Sequence, residues 1–140
     1  MNAPHMHSSR RRRIGTASAI AAAALVCAGC AGPTPSYVSL AERYANQESQ
    51  WLTLGDLRVH YRDEGPRQAP TLVLVHGFAA SLHAWEPWVQ RLKRDYRIIS
   101  LDLPGHGLTE SKAGYRVSPS RQVQVIDDLT RALSVDRFVI

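Results

Sequence analysis

Two short glycine-bearing stretches hold the residues whose types and order could do chemistry. One is Val73-Leu74-Val75-His76-Gly77-Phe78-Ala79-Ala80, the other Leu101-Asp102-Leu103-Pro104-Gly105-His106-Gly107-Leu108-Thr109. Each follows an apolar, β-branched run. A glycine directly after a buried strand lets the backbone turn sharply. Ligands of open α/β sheets bind beyond the carboxyl ends of the strands. A backbone N–H held there can stabilise a developing oxyanion. The other histidines offer less. His60 falls in a predicted strand and His83 at a predicted helix start, and both read as ordinary surface or packing residues. His5 and His7 lie in the polar N-terminal tip and suggest no metal site. The two cysteines, Cys27 and Cys30, share one small-residue stretch, so the body holds neither a disulfide frame nor a cysteine metal site. No cofactor is implied.

Alternating strands and helices must position these loops. Residues 51–54 and 57–61 alternate apolar and polar around Gly55-Asp56, the pattern of a β-hairpin. Residues 63–70 contain Gly65, Pro66 and Pro70 and read as a loop. Residues 71–75 and 97–101 suit strands buried on both faces, as in a parallel sheet. Between them, Leu82, Trp85, Val89 and Leu92 space one helix face over 81–95, with Pro87 near a first turn. Ser118-Pro119 reads as an N-cap and first helical position, continued by Val123, Ile126, Leu129 and Leu133 to about residue 134. Residues 137–140 start another strand. The breaker-rich stretch from Gly32 to Ser36 reads as a tether, with a short helix over 39–47. Strands alternating with helices indicate a parallel α/β sheet.

Together, His76-Gly77-Phe78 and Asp102-Leu103-Pro104-Gly105-His106-Gly107, in that order and each after a buried strand, resemble the α/β-hydrolase superfamily. The resemblance covers about residues 51–140. It implies the N-terminal part of an α/β-hydrolase fold: an antiparallel hairpin leading into a mostly parallel sheet with flanking helices. It also implies that the Phe78 N–H is one oxyanion donor, that the Phe78 ring walls a substrate pocket, and that His76 and Gly77 shape the loop. Asp102, Pro104, Gly105 and Gly107 resemble structural turn residues. His106 takes a structural role, since the family's catalytic histidine lies near the end of a much longer chain.

The family's nucleophile sits in a Gly-x-Ser-x-Gly elbow after the next strand. Ser81, Ser111, Ser118 and Ser120 lack such surroundings, and the sequence ends before an elbow, acid or catalytic histidine appears. No catalytic residue of the family's triad is therefore expected in these 140 residues, and the chain alone is expected to be inactive. Two function classes remain. One is the N-terminal portion of a hydrolase acting on a small ester or related acyl bond. The other is a non-catalytic surface lipoprotein or interaction module derived from that fold.

The first thirty residues read as an address. Arg10 to Arg13 precede an alanine-rich run that ends in Cys27-Ala28-Gly29-Cys30. A positive tip, an apolar run of roughly 7–15 residues and small residues at its end describe an export signal. A spanning helix needs about 20 apolar residues. Ala28-Gly29-Cys30 resembles a bacterial lipobox, with Cys27 where a large aliphatic residue is usual. The resemblance implies cleavage before Cys30 and lipid on its thiol, hence a membrane-anchored product. Simple cleavage and release, giving a periplasmic protein, is the alternative. Arg11-Arg12-Arg13-Ile14 fits a twin-arginine signal loosely and a general secretory signal as well. The expected organisation is a signal over 1–29, a tether over 30–50 and a partial hydrolase domain over 51–140.

Charge argues in the same direction. The chain has 17 Lys+Arg and 12 Asp+Glu, a formal +5. The four arginines at 10–13 account for four of those charges, leaving 13 basic against 12 acidic residues from residue 30 onward, a net +1. The basic character belongs to the tip, which excludes a nucleic-acid partner on charge alone. Hydrophobic residues at 44% and charged residues at 21% mark a globular body.

Overall fold

A computed structural model describes residues 34–140. The signal, Arg10 to Arg13, Cys27 and Cys30 lie outside the described residues. Among those described, no helix is long and apolar enough to cross a membrane.

The compact unit begins at Pro35. Helix α1 (Tyr37–Tyr44) opens it, capped by the Ser36 hydroxyl, which accepts from the Ser39 N–H. The hairpin follows as β1 (Gln50–Leu54) and β2 (Leu57–Glu64), joined through Gly55 at φ 58. Next come β3 (Thr71–Val75), a 3-10 turn (Leu82–Trp85), α2 (Glu86–Leu92), β4 (Arg97–Leu101) and β5 (Glu110–Ser111). Helix α3 (Pro119–Ala132) and β6 (Phe138–Val139) complete the order. The sheet runs β1-β2-β4-β3-β6, with β5 pairing the start of β2. Strand β2 is antiparallel to β1 and β4, whereas β3 is parallel to β4 and β6.

Strands β3 and β4 stand where the apolar runs place them, and every residue of β4 is buried. Successive side chains point to opposite faces. On one face Val59, Tyr61, Val73, Ile99 and Leu101 form a single cluster with Val125 and Leu129 of α3. The 3-10 turn packs against β3 and β4, where Leu82, Val89 and Ile98 are buried. Each fully buried Leu, Ile or Val contributes about 1.5–3 kcal/mol, so both faces of β3 and β4 need their cover.

Several expectations are corrected. The helix over 81–95 divides into the 3-10 turn and α2, because Pro87 lies in α2's first turn, where its missing N–H costs nothing. Helix α3 stops at Ala132, and Ser134 at φ 54 turns the chain away. Val123 is 66% exposed; Val125 takes the buried position, with Leu129 one turn on. Strand β2 extends through Asp63 and Glu64, which had read as loop. Asp63 is held there by Arg97, whose Nε and Nη2 donate at 3.0 and 2.8 Å. Helix α1 starts and ends earlier than the 39–47 pattern suggested. Its last carbonyl, on Tyr44, lies 3.0 Å from His83 Nε2, so residues 37–44 of the expected tether pack on the body.

Candidate active site

The two glycine-bearing loops lie side by side beyond the carboxyl ends of β3 and β4. His76 joins them. Its Nδ1 donates to the Gly77 carbonyl at 2.8 Å, and its Nε2 accepts the Leu103 N–H at 3.0 Å. These partners fix the tautomer with hydrogen on Nδ1. His76 is buried, and its bond with the Leu103 N–H is shielded from water. His106 lies against it with ring centroids 5.0 Å apart and turns an edge toward the Phe78 ring at 6.2 Å.

Phe78 is 96% exposed. Its N–H has no acceptor among the described residues. The left-handed backbone of this loop falls on Ala79, at φ 55. A non-glycine residue held there costs about 1–2 kcal/mol, and such strain concentrates where a loop's aim matters. Gly77 was expected to make the sharp turn. Its φ is outside the left-handed region, and a Cβ built on it would meet nothing within 4 Å. Within this chain the turn does not require glycine at 77; the face above it is open.

The second loop is organised by a carboxylate. Asp102 is wholly buried. Its Oδ1 accepts the Leu82 N–H at 2.8 Å, and its Oδ2 accepts the Leu108 N–H at 2.8 Å and His60 Nδ1 at 2.8 Å. Burial is the largest influence on its carboxyl and pushes the pKa up. The hydrogen bonds from His60, Leu108 and Leu82 together outweigh it and hold the group below the ordinary carboxylate value. Thr109 completes the network: its hydroxyl donates to the Asp102 carbonyl at 2.7 Å and accepts the His60 N–H at 2.9 Å. Gly105 at φ 84 and Gly107 at φ 51 supply the left-handed turns. A Cβ on Gly107 would overlap the Asp102 carboxylate, so glycine there is required by space as well as by conformation.

Asp102, Pro104, Gly105 and Gly107 lie in the loop after β4, and Asp102 is its hub. His60 is not an ordinary packing residue, since both ring nitrogens are engaged inside the core. His83 lies between Arg62 Nη2 at 3.1 Å and the Tyr44 carbonyl at 3.0 Å. Among the described residues, no group of three or more His, Cys, Asp or Glu is placed to hold a metal.

The sequence model for the alpha/beta hydrolase fold matches residues 70–140, just over half the chain. The chain belongs to the alpha/beta hydrolase fold family. It is 26% identical over 90 residues to epoxide hydrolase 2 of Caenorhabditis elegans, covering 64% of this chain and 25% of that protein. It is 34% identical over 82 residues to an uncharacterized hydrolase, YNR064C, of Saccharomyces cerevisiae, covering 59% of this chain and 28% of that one. A hydrolase crystal structure from Pseudomonas aeruginosa superposes with a TM-score of 0.60 at 27% identity, over 66% of this chain and 35% of that one. The matched segment therefore spans between a quarter and a little over a third of these relatives.

Proposed function

We propose that this chain is the N-terminal portion of an exported, lipid-anchored hydrolase that cleaves an ester or related acyl bond, and that it performs no turnover by itself. The carrying observation is the Phe78 N–H, which has no acceptor, stands beyond the carboxyl end of β3 and is fixed through His76. A donor in that position can donate a hydrogen bond to the oxyanion of a tetrahedral acyl intermediate. The exposed Phe78 ring beside it would wall an apolar substrate group. The nucleophile, its base and the acid would come from sequence beyond Ile140. Without them no acyl-enzyme forms at this loop.

A second reading follows from the C. elegans relative, which is named an epoxide hydrolase. On that reading the same loop faces a strained ether in place of an acyl group. One experiment separates the readings. If the downstream DNA continues the reading frame, the longer product is assayed on a short-chain chromogenic ester and on a styrene-type epoxide, beside the 140-residue chain. Ester turnover by the longer product alone supports the proposal. Epoxide opening without ester cleavage supports the second reading. Turnover by the 140-residue chain above a heat-denatured control would refute the claim of silence.

A further inference from the structure

Three groups away from the oxyanion loop stand in the order of nucleophile, base and orienting acid. Ser49 Oγ lies 2.9 Å from His60 Nε2, and His60 Nδ1 lies 2.8 Å from Asp102 Oδ2. We propose that Ser49 is an activated serine, with His60 as its base and Asp102 orienting the imidazole, able to accept an acyl or phosphonyl group from an activated ester. Strand β1, which Ser49 leads into, is three places from β3 in the sheet, roughly 14 Å at the usual strand spacing. Ser49 is therefore a separate centre and not the missing partner of the Phe78 N–H.

The positions of the protons follow from the partners. Asp102 accepts from two backbone N–H groups as well as from His60, so it acts as a carboxylate. His60 Nδ1 must then carry hydrogen and donate, which leaves the Nε2 lone pair facing Ser49. The Ser49 hydroxyl donates to that lone pair. Its other possible acceptor, Asn46 Oδ1, is farther away at 3.4 Å. The Asn46 N–H donates to Ser49 Oγ at 3.1 Å, which favours negative charge on that oxygen as its proton leaves. These are the relations by which a serine is made nucleophilic by an oriented histidine.

Burial isolates the pair and leaves the serine reachable. The His60 and Asp102 side chains are both 0% exposed. The Trp51 ring lies over the imidazole at 4.9 Å. Ser49 is only partly buried, so of the three residues it is the one a reagent can approach. With a fluorophosphonate, the Oγ–P bond forms as the P–F bond breaks and fluoride departs. The hydroxyl proton passes to His60 Nε2 and from there to solvent. The arrangement supports one group accepted per chain.

The full 140-residue chain is treated with an alkyl fluorophosphonate, and labelled peptides are mapped by mass spectrometry in native buffer and in denaturing urea. General-base assistance is worth about a hundredfold or more. Ser49 in the native chain should therefore label about a hundredfold faster than exposed Ser36 and Ser39, with the advantage lost in urea. Ser49→Ala should remove that label alone. His60→Gln, confirmed as folded by near-ultraviolet circular dichroism, should bring Ser49 down to the rate of Ser36. Native labelling of Ser49 no faster than Ser36, or equally fast in urea, overturns the proposal. So does a folded His60→Gln chain that labels at the unaltered rate. Should His60→Gln fail to fold, the native-to-urea ratio on the unaltered chain decides.

Discussion

Replacing Asp102 with alanine should remove most of the chain's stability, whereas asparagine should remove only part. Three donors converge on this carboxylate: the Leu82 N–H, the Leu108 N–H and His60 Nδ1, each at 2.8 Å. All three bonds are buried. A buried donor left without a partner costs about 1–3 kcal/mol. Alanine orphans all three, so the loss is about 3–9 kcal/mol, against a usual total of about 5–15 kcal/mol. Asparagine can place its oxygen where Oδ2 stands and keep Leu108 and His60. Its amide nitrogen then faces the Leu82 N–H, one orphaned donor worth about 1–3 kcal/mol. Urea unfolding followed by the fluorescence of Trp51, Trp85 and Trp88 measures both variants against the unaltered chain. An alanine variant that loses less than about 1 kcal/mol, or that equals asparagine, would show that the three bonds do not hold these loops. The pH dependence has a defined sign. Asp102 is held below the ordinary value of 3.8 in the folded chain, so its contribution is complete above roughly pH 4 and is lost as pH falls through the folded value. The acid limb of the stability profile should be shallower in Asp102→Asn.

The two glycines invite opposite outcomes. Gly107→Ala meets the Asp102 carboxylate and a left-handed φ, so it should cost at least about 1–2 kcal/mol for the backbone alone. Gly77→Ala meets nothing and should leave the unfolding free energy within about 0.5 kcal/mol of the unaltered chain; in a longer, active product any loss at Gly77 would appear in turnover. Arg97→Met deprives buried Asp63 of a two-pronged partner but leaves it Arg67, and should cost about 1–3 kcal/mol by the same urea titration. Mass spectrometry of the membrane fraction should find a lipid-modified Cys30 at the N-terminus, and an intact Met1 in the mature protein would refute the anchor.

Strands β3 and β4 were legible to the residue because a five-residue apolar run between breakers has few other places to go. The Ser118-Pro119 cap and the disturbance at Pro87 were legible for a similar reason: each is a local steric rule. The loops were legible as glycine patterns, and the family they resemble proved to be the family the chain belongs to. The charge network was not. His60 and Asp102 are 42 residues apart and Leu82 is 20 from Asp102, and no local pattern announces partners that only the sheet brings together. Val123 misled because the helical stripe admits two neighbouring phases, and the sheet decided between them. Ala79 was hidden as well, since a left-handed alanine leaves no mark on composition.

The Asp102 carboxylate also has a consequence in time. Its donors come from β2, from the entrance of the 3-10 turn and from the glycine loop, which Thr109 also ties to the His60 N–H. Only when β2 lies beside β4 does His60 reach the carboxylate and complete its set of donors. When β2 detaches, the carboxylate loses the His60 Nδ1–H and the Thr109 hydroxyl loses the His60 N–H in the same event. The amides of Leu82 and Leu108 should therefore exchange with deuterium at one common rate, shared with the β2 amide of His60, and behave as one cooperative unit spread across separate loops.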